Sequence, residues 1–174
     1  LAVTVFGATP SAWAATQSAE SLVLKPNMDQ RYATNLATRF LTNWHYKQTT
    51  LDDNFSSVIL DEYIELLDPN RNYFLASDIA SFERYRKSLD DALRHSDLQP
   101  AYDIFNVYID RVRDRVRFSM EAAKLPMDFT SDEYYEFDRE DAPWASTTAE
   151  LDDMWRKRVK NDYLRLKLTD KDEA

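Results

Sequence analysis

The 174-residue chain carries 22 basic and 31 acidic side chains, a formal net charge of −9, no cysteine and a single glycine, Gly7. Lack of cysteine rules out disulfides and thiolate-bound metal, and the acidic balance argues against nucleic acid and anionic lipid as partners. Lack of glycine after Gly7 rules out phosphate-binding loops, dinucleotide fingerprints, nucleophile elbows and Asn-Gly or Asp-Gly hairpins, leaving an all-α domain as the expected fold class.

Residues 1–14, "LAVTVFGATPSAWA", are an uncharged apolar run ending in Ala12-Trp13-Ala14. They read as the latter part of a signal peptide cleaved after Ala14, so the protein is expected to be exported and periplasmic. The run is too short to span a bilayer, and no later segment is apolar enough to try. Residues 15–27 read as a loose lead-in, and residues 28–174 as one helical domain of about five helices.

From Met28 the apolar residues fall at helical spacing. Ala33, Leu36, Ala37, Phe40, Leu41 and Trp44 form one stripe on a first helix expected to stop near Lys47. Thr50, Asp52 or Asp53 can cap a second helix, whose expected buried face is Phe55, Val58, Ile59, Tyr63, Leu66 and Leu67. Pro69 pushes Asp68 out of the α region and ends it.

The stretch "LLDPNRNYFLASDIASFE", residues 66–83, sets Asp68, Asn70 and Asn72 at the opening spacing of a calcium loop. A calcium loop starting at Asp68 needs glycine at its sixth position and a bidentate glutamate at its twelfth; Tyr73 and Ile79 stand there. The stretch therefore reads as a corner, with Tyr73, Phe74 and Leu75 plugged into the core. Ser77 or Asp78 can start a third helix whose core face is Ile79, Phe82, Tyr85, Leu89 and Leu93.

A fourth helix is expected from about Pro100, suited to a first turn, to Lys124. Phe105, Tyr108, Val112, Val116, Met120 and Ala123 line one side of it. Asp110, Arg111, Arg113, Asp114 and Arg117 read as its solvated, ion-paired face. Thr147 or Thr148 can cap a final helix to about Lys167, with Leu151, Trp155, Val159, Tyr163 and Leu166 inward. No helix-stop signal precedes Ala174, and the domain reads as truncated there.

Between these last helices, "PMDFTSDEYYEFDREDAPWAST" carries Tyr134, Tyr135, Phe137 and Trp144 among seven carboxylates. A stretch of this length without regular structure has to pack or bind something. It reads as an ordered loop in which Tyr134, Tyr135, Phe137 and Trp144 are anchors, either for the core or for a partner. The carboxylates Asp132, Glu133, Glu136, Asp138, Glu140 and Asp141 read as a solvated acidic surface rather than a catalytic pair. His45 and His95 are isolated, too few for a zinc site, and no serine stands in an S-x-x-K pattern. No catalytic, metal or cofactor residue is expected.

Two stretches carry a resemblance to a known family. "RFLTNWHYKQTTLDDNFSSVILDEYIELLDPNRNYFLASDI" and "LPMDFTSDEYYEFDREDAPWASTTAELDDMW", with the following "LRLKLT", resemble the N-terminal helical domain of the tail-specific, carboxy-terminal processing proteases, peptidase family S41. The resemblance implies a parent periplasmic serine endopeptidase that continues into a PDZ domain and a protease core with a Ser-Lys dyad. No catalytic residue of that dyad falls within this segment. It further implies polypeptide substrates with apolar C-terminal tails, a share in enclosing them, and a helical-repeat lipoprotein adaptor as partner. The alternative is a free-standing periplasmic helical binding, sensor or chaperone-like module.

Overall fold

The computed structural model describes residues 23–44 and 50–172. The signal-peptide region, His45 and the expected helix end at Lys47 lie outside the described residues. The described residues form six α-helices: α1 Met28–Asn43, α2 Asp53–Leu67, α3 Ala76–Phe82, α4 Leu89–Arg94, α5 Gln99–Ala122 and α6 Thr148–Asp172. The count exceeds five because the expected third helix is split into α3, a 3-10 turn at Glu83–Tyr85, and α4.

That split has a polar cause. Ser56 of α2 is fully buried, and its hydroxyl donates to the Asp90 carboxylate (2.6 Å) while accepting from the Asp90 main-chain N–H (2.8 Å). Satisfying both groups of Asp90 requires the chain to turn at Ser88 (φ −134°, ψ −1°), which an unbroken helix forbids. The Ser56 hydroxyl also holds the Asp90 carboxyl below the usual carboxylate range.

The main core gathers Leu60, Ile64, Phe74, Phe82, Leu89 and Ile104, with a second cluster of Leu75, Leu151 and Trp155 beside it. The buried residues of α2 are Ser56, Leu60 and Ile64; Ile59, Tyr63 and Leu67 of the expected face pack against the core beside them, whereas Val58 and Leu66 are exposed. The packed stripe of α5 likewise runs through Ile104, Tyr108, Arg111, Arg115 and Phe118, leaving Val116 and Met120 in solvent. Two arginines occupy it because each meets a carboxylate on a neighbouring helix. Arg111 grips Asp78 of α3 with two bonds of 2.8 Å, and buried Arg115 pairs with Asp152 of α6.

The corner of residues 68–75 joins both clusters. Asp68 is 1% exposed, and its two oxygens accept from the main-chain N–H groups of Asn72 (2.7 Å), Tyr73 (2.8 Å) and Phe74 (2.9 Å). Arg71 adopts φ 50°, a left-handed conformation unusual for a side chain with a Cβ. Its N–H donates to the Asp68 carbonyl (3.0 Å), and its guanidinium lies 5.4 Å from the Trp144 ring centre. The Asn72 carbonyl then accepts from the Trp155 indole (2.7 Å), tying the corner to α6.

The start of α1 is held by hydrogen bonds, and one side of the helix lies against α4. Asn106 of α5 exchanges two hydrogen bonds with the Leu24 main chain, each 2.9 Å. Gln30 completes a capping box with Asn27 and accepts from the Tyr102 hydroxyl (2.8 Å). No residue of α1 is buried: Leu36, Phe40, Leu41 and Trp44 all face solvent.

Replacing Asp68 with Ala strands three inward-facing N–H groups and should cost about 3 kcal/mol or more. The check is urea unfolding of the wild type and the D68A variant. Loss of less than about 1 kcal/mol would show that the corner does not depend on this carboxylate.

Candidate partner-docking surface

Between α5 and α6, residues 124–147 cross the molecule without a helix. Both ends are fastened, by different chemistry. At the first end Asp128 accepts from the Thr130 N–H (2.8 Å) and hydroxyl (2.6 Å), bonds that hold its carboxyl below the usual range. Phe129 stacks on Tyr163 of α6 with ring centres 5.9 Å apart. Glu133 accepts from Arg156 (3.1 and 2.5 Å) and from Lys160 (2.5 Å), residues one turn apart on α6. Those hydrogen bonds, Arg156's first, lower the Glu133 pKa to about 2.

At the second end the fastening is aromatic. Trp144 meets Phe74 edge to face at 6.1 Å, and the Arg71 guanidinium covers its ring while donating to the Ala142 carbonyl. The Ala76 N–H donates to the Ala145 carbonyl (2.9 Å). Glu150 then accepts from the Ser146 N–H (2.7 Å), and Thr147 caps α6 through the Glu150 N–H (3.2 Å).

The four sequence candidates divide between the two sides of this segment. Tyr134 is 81% exposed and Phe137 61%. Tyr135 is half-buried and meets Phe137 edge to face at 4.8 Å, so it supports that ring from below. Trp144 is half-buried on the core. A cleft of about 370 Å³ opens between residues 134–136 and 143–146, floored by Met154 and Lys157 of α6. Its lining carries both signs of charge, with Glu136 paired to Arg139 and Asp153 to Lys157; elsewhere in the segment Asp132, Glu140 and Asp141 make no ion pair among the described residues.

Arg71, Arg156 and Lys160 were missed by the sequence reading. The 156/160 spacing does place two cations on one helical face, but nothing in the sequence shows that Glu133 reaches them. His95 sits at the end of α4 with its Nδ1 2.7 Å from the Asp91 carbonyl, a local cap. Among the described residues no three His, Asp or Glu side chains are placed to hold a metal.

Residues 124–147 thus form an anchored irregular segment that displays aromatic rings among carboxylates. The family of the tail specific protease N-terminal domain matches residues 37–174, and the chain belongs to it. The tail-specific protease of Haemophilus influenzae is 40% identical over 144 residues, covering 82% of this chain and 21% of that relative. The chain thus spans about a fifth of the relative's length.

Two outcomes follow from the fastenings. Because the Glu133 pKa is lowered, its clamp contributes fully above the ordinary carboxyl value of 4.5 and is lost as pH falls through about 2. Carboxyl-carbon NMR titration should therefore find Glu133 still ionised at pH 3.5; a midpoint above 4 would mean that the clamp is not formed. Trp144→Ala should cost about 3 kcal/mol in urea unfolding, against about 0.5 kcal/mol or less for Tyr134→Ala.

Proposed function

We propose that this chain is the non-catalytic N-terminal helical domain of a periplasmic tail-specific serine endopeptidase that processes or degrades cell-envelope proteins. The family match over residues 37–174 carries this reading. In it, the Ser-Lys dyad and the PDZ domain that captures apolar C-terminal tails belong to other parts of the parent enzyme. The domain itself contributes enclosure of substrate and docking of a helical-repeat lipoprotein adaptor.

Stiffness supports the enclosing role. From Ala8 onward the chain has no glycine, so every backbone position pays less conformational entropy than glycine would. The outward stripe of α1, with Leu36, Phe40 and Trp44, gives such a wall an apolar lining against an unfolded polypeptide.

For docking, Tyr134 and Phe137 are the contact residues, while Tyr135 and Trp144 hold the segment that presents them. Exposed aromatic rings on a pre-ordered support lose little entropy on binding and dominate interface energetics. The test uses the full-length parent enzyme with Tyr134→Ala and Phe137→Ala combined. Adaptor affinity should fall by about tenfold or more, with far-UV circular dichroism and peptidase activity on a short unstructured peptide unchanged. Undiminished adaptor affinity would remove docking from this segment and leave enclosure as its role.

A further inference from the structure

A second cleft, of about 520 Å³, lies between the chain entering α1 and the helices α2 and α5. That volume falls within the range of small-molecule sites. Hydrogen bonds hold its walls in place. Asn106 of α5 binds both main-chain groups of Leu24, the Tyr63 hydroxyl donates to the Ala101 carbonyl (3.2 Å), and the Tyr102 hydroxyl donates to Gln30 (2.8 Å). Leu24, Tyr63, Tyr102 and Phe105 make most of the lining apolar.

The polar part of the lining is one-sided. In a chain of net charge −9 it contains no carboxylate, and its one charged residue is Lys25. Lys25 makes no ion pair among the described residues, whereas Lys124, Lys157 and Lys160 are each paired. Asn27 and Gln30 have their acceptors engaged. The Asn27 side-chain carbonyl accepts from the Gln30 N–H (2.9 Å), and the Gln30 side-chain carbonyl accepts from the Asn27 N–H (2.9 Å) and the Tyr102 hydroxyl. These bonds fix which end of each amide is the NH2 group, and neither NH2 group has an acceptor among the described residues. The first turns of α1 and α5 border the same cleft, and their dipoles add positive potential there.

We infer that this cleft binds a carboxylate with an apolar body, the carboxylate on Lys25 and the free amide donors, the body against Tyr63, Tyr102 and Phe105. One ammonium balances a single negative charge, which favours a carboxylate over a phosphate. The same chemistry is presented by a small free acid and by the last residue of a polypeptide. The site stands apart from the surface around Tyr134 and goes beyond the reading of that surface.

Isothermal titration of the intact protein with N-acetyl-phenylalanine, its amide and acetate tests the site. One equivalent of the acid should bind about tenfold or more tightly than the amide, as one charge-assisted contact implies, and acetate, without the apolar body, should not bind. Lys25→Gln should remove that equivalent and Lys25→Arg should keep it, both with an unchanged melting temperature because Lys25 is exposed. Equal binding of acid and amide, or acid binding untouched by Lys25→Gln, overturns the inference. Where the site is confirmed, a peptide ending in phenylalanine separates the two sources. Loss of an equivalent of that peptide on Lys25→Gln identifies a polypeptide end, and peptide binding indifferent to the substitution identifies a free acid.

Discussion

The structure depends on one buried carboxylate. Asp68 follows the last turn of α2 and gathers three successive N–H groups of the corner. Once residues 72–74 are fixed, neighbouring side chains are sent to opposite duties. Phe74 enters the main core, Leu75 enters the second, and Tyr73 lies between Tyr108 and Trp155 with ring centres 5.5 Å from each. The corner's main chain then supplies the acceptor for Trp155 and the donor for Ala145. Both oxygens of Asp68 are engaged by corner amides, and Tyr73 and Ile79 stand where a calcium loop needs glycine and glutamate, so the calcium-like spacing builds a corner.

Charge is used inside this domain as a substitute for apolar packing. Ser56–Asp90, Arg111–Asp78 and Arg115–Asp152 each join two helices at positions that apolar side chains usually hold. This explains what could be read from the sequence and what could not. Local features were mostly legible: Asp52, one of three candidates, caps α2, Pro100 stands in the first turn of α5, and Thr147, one of two candidates, caps α6, whereas α3 begins at Ala76 and not at Ser77 or Asp78, with Asp78 accepting from the Leu75 N–H. Each depends on residues within one turn of each other. The inward places of Ser56, Arg111 and Arg115 were missed because an apolar count rejects serine and arginine, and their acceptability depends on partners 34, 33 and 37 residues away.

The acidic-aromatic segment shows the same limit at the candidate site. Its composition announces an ordered, anchored loop, and both ends are anchored. Composition cannot say which ring goes inward, since Tyr134 and Tyr135 are chemically identical neighbours. The choice is made by Glu133: once its carboxylate is drawn to Arg156 and Lys160, alternation puts Tyr135 on the same side and Tyr134 outside. A one-residue slip would exchange the places of Tyr134 and Tyr135.

That dependence bears on how the surface can work. A loop free to slip would present tyrosines in either register and would have to be ordered by its partner, at a cost taken from the binding free energy. Here the register is set by an ion triad whose carboxyl stays ionised far below neutral pH. Exposed ion pairs contribute little to global stability singly, and the value of this one lies elsewhere. It needs only to outweigh the alternative register of a short segment whose other end is already pinned by Trp144 against Phe74. Modest electrostatics are sufficient for that, and the same ion triad that adds little to the stability of the fold decides which of the two tyrosines faces solvent.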